Sequence, residues 1–397
     1  MRSSSPFEGA RLRANPGYEL VLLDSLPDAK RVQVEQEGDD ELYGVLRGRP
    51  GSRLEPRTAS SDTALLFMTL AAPKRLPRYV RARLGDETEP VVTRLVLDGV
   101  LEVEHAGTFV SGADAAPVLL TRRAGGGRGR IGELSEAALR YGQELTALPH
   151  ALLADRLYGY GTLPLSPRLR RRLGGDAAVA SACGLRQGDP AQRSLARGWV
   201  EPASAEGHDP YWRHWRRRPA PDAGRPADTT AYKLYVSPTL DGLPDAVAAV
   251  AETLADVRGV FAFKLGRDVR GICRPDKLVV YFDRLDDLRE GAARLRDRLA
   301  GCPGQGVPFT AAVTEDGLLS WGVDPPSTRA LGVTSWRRWV AERLAEHLAH
   351  AAAGHAGPAG GERPPWQFAL DRLRLSGVDT DSWIPASTMW ADALASE

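Results

Sequence analysis

Ala231-Tyr232-Lys233-Leu234-Tyr235-Val236 is the stretch whose reading decides the fold. Aromatic and aliphatic side chains at this density predict a strand, and comparable runs follow at 261–265, 278–282 and 308–313. Between the first two, Val247, Val250, Leu254 and Val257 recur three or four apart, which predicts a helix over 243–257. Leu285, Leu288, Ala292, Leu295 and Leu299 predict a second helix after the third run. The order is βαββαβ, the ferredoxin-like split motif. A further helix over 335–350, with Trp336, Val340, Leu344 and Leu348 on one face, is expected to pack on the sheet. Residues 231–352 therefore read as one α+β domain.

Outward from that domain the pattern changes. Residues 201–230 are rich in Pro, Gly, Ala and Asp and read as a linker, although Tyr211-Trp212-Arg213-His214-Trp215-Arg216-Arg217-Arg218 interleaves rings with cations. Such a stretch suits stacking on bases, binding an acidic peptide, or pinning a linker to its neighbours. Residues 133–200 read as a helical region, with Leu134, Ala138, Tyr141 and Leu145 on one face. TRRAGGGRGR, within a linker at 121–132, lacks the spacing of a phosphate-binding P-loop. Residues 1–120 divide into short strands (18–23, 31–34, 42–46) and then helices over 62–71, 76–84 and 89–98 before a hairpin, Leu101-Glu102-Val103-Glu104 with Thr108-Phe109-Val110. Three helices and a hairpin suggest a winged helix. Its third helix offers only Arg94 to phosphates, which favours peptide capture or a structural role over DNA. Residues 353–397 read as a linker and a terminal segment. The whole is an α+β multidomain chain: winged-helix-like, helical, then ferredoxin-like with an added helix.

Length and charge bound the function. At 397 residues several domains are expected, and 52 basic against 51 acidic side chains leave no global field to draw nucleic acid or an anionic membrane. No apolar run reaches membrane-spanning length, no signal-type segment opens the chain, and three scattered cysteines (Cys183, Cys273, Cys302) lack zinc or disulfide spacing, so a reduced, cytoplasmic setting is expected. His347 and His350 share a late helix without an obvious third ligand, and no metal or other cofactor is expected. Nucleophile-elbow, dinucleotide-binding and kinase-type patterns are not found.

Only five of the basic residues are lysines, and three of them, Lys233, Lys264 and Lys277, fall within 45 residues. Lys264 and Lys277 flank one loop that also carries Arg267, Asp268, Arg270, Arg274 and Asp276. Alternation sets Lys264 opposite Phe261 and Phe263, and places Lys277, Val279 and Tyr281 on a common face. Guanidinium groups grip phosphate in pairs, and a desolvated lysine can act as a base. A phosphoester lyase needs both. The candidates are Lys264 or Lys277 as base, Tyr281 as acid, and Arg267, Arg274 and Lys233 on phosphate, with Asp276 and Trp321 in support. The bland reading of each alone is a solvated strand end, a neutralised arginine or core filling.

The segments Ala231-Tyr232-Lys233-Leu234-Tyr235-Val236-Ser237-Pro238, Phe263-Lys264-Leu265, Arg274-Pro275-Asp276-Lys277-Leu278-Val279-Val280-Tyr281, Gly306-Val307-Pro308-Phe309-Thr310 and Leu319-Ser320-Trp321-Gly322 occur in the order of a known family. With the Trp336-Arg337-Arg338 helix they resemble the Hop A-type type III effector-like family found in class V lanthipeptide and thioamitide biosynthetic clusters. The resemblance implies elimination of phosphate from phosphoserine or phosphothreonine in a ribosomal precursor peptide, beside a kinase-like partner protein. It matches Lys264, Arg274 and Asp276 to the family's polar positions, and Lys277 to a variable one. Val333-Thr334-Ser335-Trp336 replaces the family's serine and phenylalanine before the last helix. Alternatives that keep the peptide are a cyclase or a leader-binding scaffold; a nucleic-acid-binding regulator is the third.

Overall fold

A computed structural model describes residues 7, 9–27, 31, 42–52, 54, 56–119, 127, 129–202, 211–218, 232–325, 335–354 and 364–385. Most of the 121–130 linker, the strand expected over 31–34 beyond its first residue, and most of the 353–397 segment lie outside them. The chain is a mixed α+β protein that divides into two compact units: Met1–Ala124 with Ser327–Gly332 and Leu344–Ser376, and Gly125–Pro326 with Val333–Arg343 and Gly377–Glu397. Among the described residues no helix is long and apolar enough to cross a membrane.

In the first unit the strands are β1 (Arg11–Ala14), β2 (Tyr18–Leu22), β3 (Leu42–Gly48), β4 (Arg57–Ser60), β5 (Lys74–Arg75), β6 (Leu101–His105) and β7 (Thr108–Val110). They form two antiparallel sheets, β5-β1-β6-β7 and β2-β3-β4, with helices Ser61–Thr69, Arg78–Leu84 and Thr88–Leu97. Strand β1 escaped the sequence reading because its outward residues are charged. Leu12 is buried, while Arg11 and Arg13 pair with Glu104 and Glu102 of β6. Alternation survives there, but an apolar run does not.

The second unit holds the stretch that opened the sequence reading. Its large sheet holds β8 (Trp199–Val200), β9 (Trp212–Arg217), β10 (Tyr232–Val236), β11 (Val260–Gly266), β12 (Leu278–Phe282), β13 (Ala311–Ala312) and β14 (Leu319–Val323), in the antiparallel order β13-β14-β10-β12-β11-β9-β8. Tyr232, Leu234, Phe263, Leu278, Val280 and Phe282 share the face packed by helices Leu243–Thr253 and Leu285–Arg298. Gly291 of the latter lies so near Phe282 that a Cβ there would sit 2.9 Å from its ring. The helical region expected over 133–200 appears as helices Gly129–Gln143, His150–Tyr158, Pro167–Arg172, Asp176–Ala182 and Pro190–Gly198. On the first of these the buried stripe is Ile131, Ser135, Ala138 and Leu139, and Tyr141 is exposed rather than inward.

Three expectations need correction. The strand beside β10 is β14, not residues 308–313, which supply only the two-residue β13. Phe309 takes a positive φ of 63° and Thr310 Oγ1 donates to Val307 O at 2.6 Å, so these residues turn the chain instead of extending it. Residues 212–217, expected in a linker, form β9 and pair with β11 along their length. A register shift between Val260 and Ala262 also admits one extra residue, and Phe261 joins Tyr281, ring centroids 5.9 Å apart, rather than following Phe263 into the core.

On the opposite face of the sheet Gly322 receives Trp336, which is fully buried and donates Nε1 to Phe309 O at 3.0 Å. A Cβ on Gly322 would lie 2.8 Å from Trp336 Cδ1. Gly322→Ala is therefore expected to cost roughly 1–3 kcal/mol of overpacking strain, read as a lowered urea midpoint. An unchanged midpoint would mean that the indole can shift at no cost.

Candidate functional site

The site grows from the alternation of β11. Phe263 is pinned in the core between Trp199, edge-on at 4.7 Å, and Trp215, stacked at 4.9 Å. Its neighbour Lys264 must then point to the other face. There the register sets Lys264 opposite His214 of β9 and Val279 of β12, and Lys233 of β10 opposite Tyr281. Directly opposed side chains on one face have Cβ atoms about 5 Å apart. Lys264 Nζ lies 4.2 Å from the centre of the Trp212 ring and 5.7 Å from that of Tyr281, and Lys233 Nζ lies 5.6 Å from Tyr281. Lys233 also forms an ion pair with Asp324.

Arg274 reaches this face from the loop after helix Val269–Cys273, whose N-terminus is capped by Asp268 accepting from Gly271 N at 2.7 Å. Its guanidinium lies 5.1 Å from the Trp212 ring, so Trp212 carries Lys264 and Arg274 together. Arg274 donates from Nε and Nη2 to the two oxygens of Asp276 at 2.8 and 2.9 Å, and from Nη2 to Tyr158 Oη at 3.0 Å. With Nε and Nη2 engaged and the side chain 31% exposed, Arg274 Nη1 is left for an outside anion.

Asp276 is 4% exposed and meets a second cation, Arg337 Nη1 at 2.8 Å; Arg337 is 1% exposed. Arg337 further donates to Tyr158 O at 2.7 Å and Pro308 O at 3.2 Å, and lies 4.7 Å from the Tyr158 ring. Burial alone would raise the Asp276 carboxyl, but Arg337 and Arg274 together hold it well below the ordinary carboxylate range. The Tyr158 hydroxyl is pushed up, first by burial and then by Asp276. Arg274 stays firmly protonated: burial opposes its charge, and Asp276 together with Tyr158 outweighs burial.

Of the residues singled out in the sequence, Lys264, Tyr281, Lys233, Arg274 and Asp276 thus gather on one face. Three others do not. Lys277 is fully buried and donates to Pro238 O at 2.8 Å and Gln305 Oε1 at 2.5 Å. Gln305 in turn donates to Gly161 O at 2.7 Å and Cys273 O at 3.3 Å, so this pair positions the arginine loop and does not reach substrate. Arg267 lines a cleft at the other side of the sheet end with Glu201, Arg213 and Leu265. Trp321 stands opposite Leu234, on the helix-packed side. Sequence reasoning missed Tyr158, Arg337, Trp212 and His214 as site residues. The last two did carry a signal, since Trp-Arg-His-Trp is dense in strand-favouring rings.

Outside this face, Glu346, His347 and His350 bring possible ligand atoms within 4.8 Å of one another, Glu346 completing the histidine pair four residues before His350. Arg57 Nη2 donates to His350 Nε2 at 2.8 Å, and burial followed by Arg57 pushes that imidazole down. A cation there would have to displace a guanidinium, so the group does not fit a metal.

No family model and no curated protein matches the chain. Among solved structures, the effector protein from Pseudomonas syringae pv. syringae strain 61 is 12% identical, with a TM-score of 0.38 over 64% of this chain and 98% of that one. The effector protein from Pseudomonas syringae pv. tomato strain DC3000 is 12% identical, with a TM-score of 0.36 over 64% and 97%. The phosphothreonine lyase SpvC, the effector protein from Salmonella, is 16% identical, with a TM-score of 0.26 over 47% and 89%. Likeness at this level carries no argument about activity, which has to come from the site's own chemistry.

Two consequences are measurable. Asp276→Asn removes the counter-charge of a buried guanidinium and is expected to cost roughly 3–5 kcal/mol in urea unfolding. The wild type's advantage over this variant should be complete above about pH 4 and shrink as pH falls towards the depressed pKa of the folded state. For Lys277, burial pushes the amine down to about 7, and a neutral amine has two N–H groups for its two acceptors. From about pH 7 to about pH 10 the unfolded chain binds a proton here that the folded chain releases, so this residue favours folding more as pH rises. The stability of the wild type should accordingly gain on that of Lys277→Met across that window. A difference flat with pH would show that the buried amine stays charged.

Proposed function

We propose that this face eliminates phosphate from phosphoserine or phosphothreonine in a peptide. One observation carries the reading: a single ring, Trp212, holds the Lys264 amine at 4.2 Å and the Arg274 guanidinium at 5.1 Å, with His214 in register opposite Lys264. A base, an anion grip and a proton donor stand together on one half-buried surface.

In the step proposed, the Lys264 amine takes the Cα proton. The electron pair left behind forms the Cα–Cβ double bond, and the Cβ–O bond breaks. Arg274 stabilises the negative charge growing on the departing phosphate, and Lys233, paired with Asp324, adds positive potential to the same face. His214 protonates the bridging oxygen; Tyr281, between the two lysines, is the other group placed to do so. The products are a dehydroamino acid and inorganic phosphate. Atoms balance without water, oxidant or reductant.

The resemblance of residues 231–352 supports the narrower proposal: a cytoplasmic lyase acting on a ribosomal precursor peptide phosphorylated by a kinase-like partner. The strand order β14-β10-β12-β11 likewise supports a ferredoxin-like reading of that segment.

The test is phosphate release, with the matching mass loss of phosphoric acid, from a phosphothreonine peptide. Lys264→Ala is expected to lower kcat by roughly 10²–10⁴-fold while peptide affinity persists. Arg274→Ala should weaken both binding and turnover. Wild-type protein that binds the phosphopeptide but releases no phosphate would sink the lyase reading in favour of a cyclase or scaffold.

A further inference from the structure

Helix Pro167–Arg172 has the sequence Pro-Arg-Leu-Arg-Arg-Arg, capped by Ser166 accepting from Leu169 N at 3.2 Å. Arg168, Arg170, Arg171 and Arg172 are all exposed, and among the described residues none of them has an acidic partner. Several other helices pair their arginines. Arg140 pairs with Glu136, Arg294 with Glu290, Arg289 with Asp286, and Arg338 with Glu342, all within one turn. A solvated helix end tolerates a cation or two because the carbonyl dipoles favour them. Four without an acid, including like charges four apart at Arg168 and Arg172, repel one another. In a chain whose charges otherwise nearly cancel, 52 against 51, this is a concentrated local field.

Its location gives that field a purpose. Leu163, four residues before the helix, donates its N–H to Cys273 O at 3.0 Å, next to Arg274. A Cβ on Gly161 would touch Pro275, on the far side of Arg274. Burial pushes the Cys273 thiol up, Lys277 pulls it partly back, Asp268 pushes it up again, and Arg172 contributes the smallest, lowering influence. Arg270, on helix Val269–Cys273, adds a fifth exposed cation.

We propose that the Pro167–Arg172 helix is a subsite for an acidic segment, its arginines binding Asp and Glu residues that flank the phosphorylated residue of the peptide substrate. The proposal rests on the reading of the Arg274 face as a phosphopeptide site. An extended substrate covers about 3.3 Å per residue, so acidic residues a few positions from the phosphate come within reach. The helix carries no aromatic side chain on which bases could stack, which favours a peptide over nucleic acid.

The experiment compares two phosphothreonine peptides, identical except that three flanking residues are Glu in one and Ala in the other. With wild-type protein at low salt the Glu peptide should show a KM roughly tenfold lower, kcat being nearly equal, and added salt should erase the gap. A variant combining Arg168→Gln, Arg170→Gln, Arg171→Gln and Arg172→Gln should raise the Glu-peptide KM to that of the Ala peptide. Its unfolding temperature should match the wild type. Equal KM values in the wild type, or a preference that survives in the variant, would overturn the subsite. So would duplex DNA that binds the wild type more tightly than the Glu peptide and is lost in the variant. Anisotropy of an unphosphorylated Glu peptide separates the two ideas: if it binds in an arginine-dependent way while the phosphothreonine peptides release no phosphate, the subsite stands and elimination fails.

Discussion

The carboxylate of Asp276, held between Arg274 and Arg337, is the interaction on which the candidate site depends. It joins the loop after helix Val269–Cys273 to the start of helix Trp336–Gly354, and both arginines in turn grip the Tyr158 segment. A buried ion pair of this kind rarely adds net stability over apolar packing of the same volume, because desolvation offsets the attraction. What it adds is direction. With two of its donor groups fixed, Arg274 presents the rest of its guanidinium to the open face, at a set distance from Trp212 and Lys264.

The sheet divides its labour by alternation. One face is apolar and covered by two helices; the other carries Lys233, Lys264, Tyr281 and His214, side by side through strand register. The stacking of Phe263 between two tryptophans locks that register, since a slip of one residue would exchange the faces and bury the lysine. The Val260–Ala262 shift departs from strict alternation at one point and moves Phe261 to the side of Tyr281. Core packing and site geometry are thus two consequences of a single register.

Behind the face lies a second tier of order. Lys277 and Gln305 tie Pro238, Gly161 and Cys273 together through hydrogen bonds, and Ser237 Oγ donates to Pro275 O at 2.6 Å. The arginine loop is therefore restrained at each end by buried or half-buried groups. A loop held this way can carry a functional side chain with little of the freedom that loops ordinarily keep.

The sequence by itself determined the elements around 231–352 that are dense in apolar side chains: the strands at Tyr232, Phe263 and Val280, the two helices that cover them, and the lysine-bearing face of β11. These are local, periodic signals, legible because burial repeats every two or every three to four residues. Only the tertiary structure decided which polar residues meet. Tyr158 lies 118 residues from Asp276, and Arg337 stands on a later helix of the chain; no periodicity announces partners so far apart. Lys277 and Lys264 look alike along the chain, yet one is sealed under Gln305 while the other lies on Trp212. Residues 212–217 resembled a linker because a strand rich in arginine lacks an apolar run, and pairing with β11 supplied what composition could not. Periodicity records burial, whereas the meeting of charges depends on how the chain returns upon itself.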